Sequence, residues 1–296
     1  MRKTLMLICL VFFSLKTMYP QEQPLGGNNP AFPGTGGQSF FNDALSRVDN
    51  AFNRTGFSPE DAYYLGRAVA ANILAVYKPY TEDPDLTRYL NRICQTIVIN
   101  SSQVEIFNGY HVMILDSPQF NAFASPGGHI FITRGLVEIT TSEDTLAAII
   151  AHELAHIILK HGLSLINDMS LSNEMAAMAD QAAQLAGKNS PGVKRLMDYR
   201  NSVSTIMDTM IKNGYSQAYE FEADREAVTL LAASGYDPGA LMEMLKILQR
   251  VQSTQKGGFN TTHPSPADRI ANLEMSSRLY HTQDTRSYRA PRFRKK

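Results

Sequence analysis

The stretch that most limits what this chain can fold into is SEDTLAAIIAHELAHIILKHG, residues 142–162. Thr141 and Ser142 offer a hydroxyl cap, and Glu143 and Asp144 place carboxylates in the first turn, where the helix dipole favours them. Gly162 reads as the residue that ends the helix. Leu146, Ile149, Ile150, Leu154, Ile157 and Ile158 flank the motif, so the helix is predicted to be buried. Positions four apart lie only about 40° apart around a helix axis. His152 and His156 therefore point the same way, one turn apart. Two imidazoles and the Glu153 carboxylate cannot be buried cheaply without a partner. One zinc ion held by both histidines supplies that partner, with Glu153 beside the zinc-bound water as general base.

The next strongly helical run, residues 215–233, repeats the spacing in Glu220 and Asp224. Glu220 is the candidate third ligand, completing a two-His, one-Glu set with one coordination position open. Asp224, a turn later, is placed to accept the free N–H of a metal-bound imidazole. Phe221, Ala223 and Ala227 imply burial around Glu220; an ordinary charged helix face is the competing reading. Glu222 and Glu226 point elsewhere, as surface charges or partners of Arg225. His161 lies nine residues beyond His152, about 180° around a continuous helix. It is therefore expected to face away from the metal and to be structural, as are His111 and His129. His263 sits in THPSP, a loop stiffened by Pro264 and Pro266. It either packs at a helix start or stabilises the oxyanion of a tetrahedral intermediate. Arg269, just beyond, is expected to pair with a carboxylate that the sequence does not identify.

With 296 residues, 44% hydrophobic and 19% charged, the chain suits one globular domain. Its formal net charge is zero, so no global field argues for nucleic acid. Residues 1–20 read as a signal peptide: Arg2 and Lys3, an apolar run from Leu5 to Leu15, then polar residues. That run is too short to span a bilayer comfortably. Export to the periplasm or envelope is the expectation. With the signal removed, Cys94 is the only cysteine, read as a small buried residue on a helix, and no internal disulfide can form.

Residues 21–39, rich in Gly, Pro and Asn, read as a flexible linker, 40–280 as the catalytic domain, and 281–296 as a basic tail. The tail is expected to be a solvated end, with weak attraction to an anionic membrane surface as the alternative. Helices are predicted from Ser58 to Tyr77 and after Pro84. Tyr110 to Leu115 and Gly128 to Ile132 are strand-like, with the Pro126-Gly127-Gly128 turn between short extended pieces. Asn121, Ala122 and Phe123 are candidates for a substrate-binding edge that pairs an extended peptide by its backbone, against a plain hairpin. Residues 166–214, rich in Ala and Met, are either helical core or a mobile lid. The predicted fold class is α+β, mainly helical, with a small sheet or hairpin beside the His-Glu-x-x-His helix.

HELAH followed after a long helical insert by EFEADREA resembles the gluzincin zinc metallopeptidases of peptidase family M48, which includes the HtpX, Oma and CAAX-prenyl proteases. The likeness extends to Asn121-Ala122-Phe123 with Pro126-Gly127-Gly128 and to THPSP followed by Arg269-Ile270, roughly residues 58–280. It implies zinc held by His152, His156 and Glu220, Glu153 as general base, and Asp224 outside the ligand set. It also implies that His263 can occupy the open zinc position and hold the enzyme inactive. No apolar run of 18 or more residues occurs, unlike the multi-span membrane branch, and no repeat domain for partner docking follows residue 280, unlike BepA-like periplasmic members. The expected function is an exported zinc endopeptidase acting on misfolded or misassembled envelope proteins. The alternative is a non-catalytic chaperone or assembly factor with a structural zinc.

Overall fold

The computed structural model describes residues 58–170, 214–251, 263–276 and 284–293. The signal, the linker and most of the 166–214 segment lie outside the described residues.

Helix α1 (Pro59–Val76) is followed by α2 (Pro84–Val98), whose start is fixed by Asp83, which accepts from Leu86 N at 2.9 Å with Pro84 at the first helical position. Both begin within a residue of where proline and the preceding polar residue place them. Three strands come next: β1 (His111–Leu115), β2 (Ala122–Ser125) and β3 (His129–Thr133). They form one sheet in the order β1-β3-β2, with β1 parallel and β2 antiparallel to β3. The expected hairpin is thus β2–β3, turning through Pro126-Gly127-Gly128. Gly127 takes φ 74°, and a Cβ there would come within 2.3 Å of Tyr63 Cα on α1. That turn requires glycine on both counts.

The alternation of strand side chains divides the core in two. Val112, Ile114, Ala122, Ala124, Ile130 and Ile132 join one apolar cluster with α2 and the helix that carries HELAH. Met113, Leu115, Phe123 and Phe131 join the other, with Leu65, Val69 and Ile73 of α1. The sheet is therefore a middle layer between α1 and the metal helix. Cys94 of α2 is completely buried, and burial pushes its thiol up to about 12.

After the short α3 (Arg134–Glu138), the metal helix α4 runs Glu143–Ile158. Ser142 caps it, accepting from Thr145 N at 3.1 Å, while the Thr145 hydroxyl returns the bond to Ser142 N at 3.1 Å. Every residue from Glu143 to Ile157 is buried. Leu146, Ile150 and Leu154 contribute about 1.5–3 kcal/mol each, which is how the helix can carry two imidazoles and a carboxylate into the interior. The helix ends earlier than its glycine suggests: Lys160 takes φ 59°, and α5 (His161–Ser170) follows as a separate helix. Helix α6 (Gln217–Ala233) packs along α4, α7 (Ala240–Val251) packs against both of them, and α8 (Pro266–Ser276) lies on α6 and α7. The described residues are mainly helical with one small sheet, as expected.

The described part of the basic tail departs from the solvated end expected of it. Residues 286–292 form α9 (Arg286–Arg289) and a 3-10 turn docked on the first turn of α4. Arg289 grips Asp144 through Nε at 3.0 Å and Nη2 at 2.6 Å, and its Nη1 donates to Gly235 O at 2.9 Å. Arg292 grips Glu143, which also accepts from Tyr89 and Tyr236. The first-turn carboxylates therefore serve as buried anchors as well as dipole charges. Replacing Arg289 by methionine is expected to lower the unfolding free energy by about 1–3 kcal/mol, because Asp144 loses its charged donors in the interior. Urea unfolding measures this, and an unchanged midpoint would show that the tail contributes nothing.

Candidate metal centre

The site forms where α4 and α6 face each other. His152 and His156 project from α4; Ser216 caps α6, and Glu220 and Asp224 project from it one turn apart. Nε2 of His152 and Nε2 of His156 lie 3.2 Å apart and 3.4 and 3.6 Å from the Glu220 oxygens. His263, just ahead of α8, brings Nδ1 to 2.9 Å from both Glu220 oxygens. One donor atom each from His152, His156, Glu220 and His263 falls within 4.8 Å of the others, and all four residues are buried. His152, His156 and Glu220 were expected to share a metal, and the fold brings His263, for which a packing role was the competing reading, into the same group.

Asp224 stands outside that group, as expected, and its Oδ1 accepts from His152 Nδ1 at 3.0 Å. Arg269 of α8 supplies the carboxylate partner left open by the sequence. Its Nε donates to Asp224 Oδ2 at 2.9 Å and its Nη2 to Oδ1, while Nη1 sits 3.6 Å from Glu220 Oε2. Glu153 lies beside His152, 2% exposed, and makes no hydrogen bond to another described residue. Burial raises its carboxyl above the ordinary range, against the lowering pull of His152, His263 and Arg269.

The donor set fits a divalent cation. Glu153, Glu220 and Asp224 are three buried carboxylates, and Arg269 is the one arginine among them. Two negative charges are left for a dication to neutralise. The field reads the same way at His152. Burial and Arg269 act to lower its pKa, yet Asp224 and Glu220 hold it up at about 9. Three nitrogens and a carboxylate are the ligands a borderline-soft divalent metal takes.

The remaining expectations fare differently. Asn121 turns its amide oxygen onto its own chain, accepting from Ala122 N at 3.0 Å. Phe123 packs on the α1 side of the sheet against Tyr77, with ring centroids 5.7 Å apart. Thr133 N donates to Asn121 O, so Phe123 and Ser125 also bond to β3, and it is Ala122 and Ala124 that turn backbone groups to the outer edge. His161 does not face away. With α4 ended at Ile158, it returns to the back of His156, Nδ1 to Nδ1 at 2.9 Å. Glu222 stays at the surface, as expected, and its carboxylate comes within 3.3 Å of His161 Nε2. The spacing rule failed at His161 because it assumed one straight helix. His111 and His129 belong to the sheet and play no part in the cluster.

A helix bearing His-Glu-x-x-His, joined by a glutamate from a second helix packed on it, defines a gluzincin-type metallopeptidase centre. The profile of Peptidase family M48 matches residues 84–277, and the chain belongs to that family. It is similar to the beta-barrel assembly-enhancing protease of Escherichia coli K12, 28% identical over 197 residues, which are 65% of this chain and 39% of that protein. It is also similar to the mitochondrial metalloendopeptidase OMA1 of Schizosaccharomyces pombe, 27% identical over 64% of this chain and 52% of that one. A third relative is the metalloprotease LoiP of Escherichia coli K12, 24% identical over 52% of this chain and 57% of its own. The chain thus spans between 39% and 57% of the length of these relatives.

Proposed function

We propose that this chain is an exported zinc metalloendopeptidase that cleaves misfolded or misassembled proteins of the envelope. The observation that carries the hydrolytic part is Glu153, buried on α4 next to ligand His152 of a four-donor metal cluster. A cavity of about 80 Å³ runs from Ala124 on the outer strand past His156 and Ile157 to Leu163 and Tyr215. This supports a bound peptide lying along β2, its backbone paired with Ala124. The place of action rests on Arg2, Lys3 and the apolar run to Leu15, and on likeness to a protease named for assembling β-barrels. Among the described residues no helix is long and apolar enough to cross a membrane.

In this reading His152, His156 and Glu220 hold the zinc, which when bound polarises the scissile carbonyl and acidifies water. Glu153 takes the proton from the attacking water and hands it to the leaving amine. Asp224 fixes the His152 ring by its Nδ1–H. His263, tied to Glu220, stands close enough to serve either as a fourth ligand at rest or as a donor to the oxyanion.

The test is cleavage of an unfolded protein by the purified full chain, with bound zinc counted per chain. Activity is expected to vanish when a chelator strips the metal and to return with added zinc. Glu220→Ala should lose both zinc and activity. Cleavage that survives complete metal removal, or wild-type zinc content in Glu220→Ala, overturns the proposal.

A further inference from the structure

We propose that His161 and Glu222 are positioning residues for the metal ligand His156, forming the relay Glu222–His161–His156 that fixes which nitrogen of His156 meets the metal. This rests on the metal-centre reading above and adds a second support to it, on the opposite side from Asp224 and Arg269.

The proton positions follow from one another. His156 turns Nε2 toward Glu220 and His152, so Nε2 is the ligand atom and Nδ1 carries the hydrogen. Nδ1 of His161 is 2.9 Å away, and two ring nitrogens at that distance share one proton. His161 Nδ1 must therefore accept, which places its own hydrogen on Nε2. That nitrogen faces Glu222 Oε2 at 3.3 Å, an acceptor. Each donor thus meets an acceptor, and the chain ends on a half-exposed carboxylate.

The surroundings hold this order in place. His161 is 2% exposed. Tyr219 stacks on its ring at 4.5 Å and 17°, and Tyr215 stacks on His156 at 4.3 Å and 16°. The left-handed turn at Lys160 is what brings His161 back against the helix it has just left. Ligand His152 is supported by a buried carboxylate tied to Arg269, whereas His156 is supported by a neutral imidazole. The two ligands are thus oriented by independent devices.

Partners that orient a metal-bound imidazole typically change metal affinity about 10–100-fold. The experiment measures zinc affinity by competition with a chromophoric chelator, with thermal unfolding of the metal-free protein as a check on folding. His161→Phe keeps the stacked ring and removes the acceptor; its affinity should fall about 10–100-fold. His161→Asn puts an amide oxygen where Nδ1 stood and should regain most of the loss. Glu222→Gln, still an acceptor, should bind zinc better than Glu222→Leu. Wild-type affinity in His161→Phe, or no recovery in His161→Asn, overturns the relay. If His161→Phe does not fold, the Glu222 pair decides, and equal affinities of its two variants overturn the relay. A wild-type protein that binds no zinc overturns the metal reading instead.

Discussion

Replacing Glu153 by glutamine is expected to lower peptide-bond hydrolysis by about 10²–10⁴-fold, the usual contribution of a positioned general base. Bound zinc and folding should be retained. Glutamine keeps the size and an acceptor oxygen but cannot take a proton. Because Glu153 makes no hydrogen bond to another described residue, the exchange breaks none among the described residues. Burial raises the carboxyl of Glu153, which brings it closer to the pH at which it must accept a proton. A raised acid pKa also carries a sign for stability. Above the pKa of the unfolded chain, the folded state bears the cost of keeping the buried group ionised, so the metal-free variant should be at least as stable as the wild type at neutral pH. Turnover of an unfolded substrate, zinc per chain and the unfolding midpoint together check this. Full activity in Glu153→Gln would remove the peptidase reading and favour a non-catalytic chaperone that uses the same cleft.

What could be read from the chain alone was whatever a single helix decides. His152 with His156, and Glu220 with Asp224, are i, i+4 pairs, and regular geometry puts each pair on one face. Ser142 acts on backbone N–H groups next to it and Pro84 presets the first helical φ, so these two helix starts were equally legible. The rest depended on contacts between distant segments. The stop at Ile158 rests on Lys160 in a left-handed conformation that nothing in its side chain demands, while the more obvious signal, Gly162, lies beyond it. His161 was misplaced for that reason alone. The tail was taken for solvent because a run of arginines is soluble by itself. Its partners, Glu143 and Asp144, are about 145 residues away, and only the closed fold brings them to Arg292 and Arg289. Asn121, Ala122 and Phe123 were read as an edge from their place beside the metal helix, but which of them turn backbone groups outward depends on the pairing register with β3, which no local signal fixes.

Replacing Arg269 by methionine is expected to be among the most destabilising single changes available, at about 3–5 kcal/mol in the metal-free protein. Arg269 is 1% exposed and joins α8 to α6 through Asp224 and Glu220, and Asp224 in turn accepts from His152 on α4. Methionine fills much of the same volume, so the loss isolates the charge. Asp224 would be left buried with only His152 to satisfy it. Burial acts to raise the Asp224 pKa, but in the intact protein Arg269 overcomes this and holds it below the ordinary carboxylate value. That depressed pKa stabilises the fold above the unfolded value of about 4, and the contribution is lost as pH falls through the folded pKa. In the variant burial prevails and Asp224 is protonated more readily. The gap between the two proteins should therefore be widest near neutral pH and close as pH drops below about 4. Lysine at 269 should restore little, because it lacks the planar fork that engages both oxygens. Adding Asp224→Asn to Arg269→Met should recover much of the loss, since no buried charge then remains without its partner. Urea unfolding under chelating conditions across pH 3–7 reads all of this. If Arg269→Met matches the wild type at neutral pH, or the double variant is no better than the single one, the arginine is packing material and the charge balance of the site lies elsewhere.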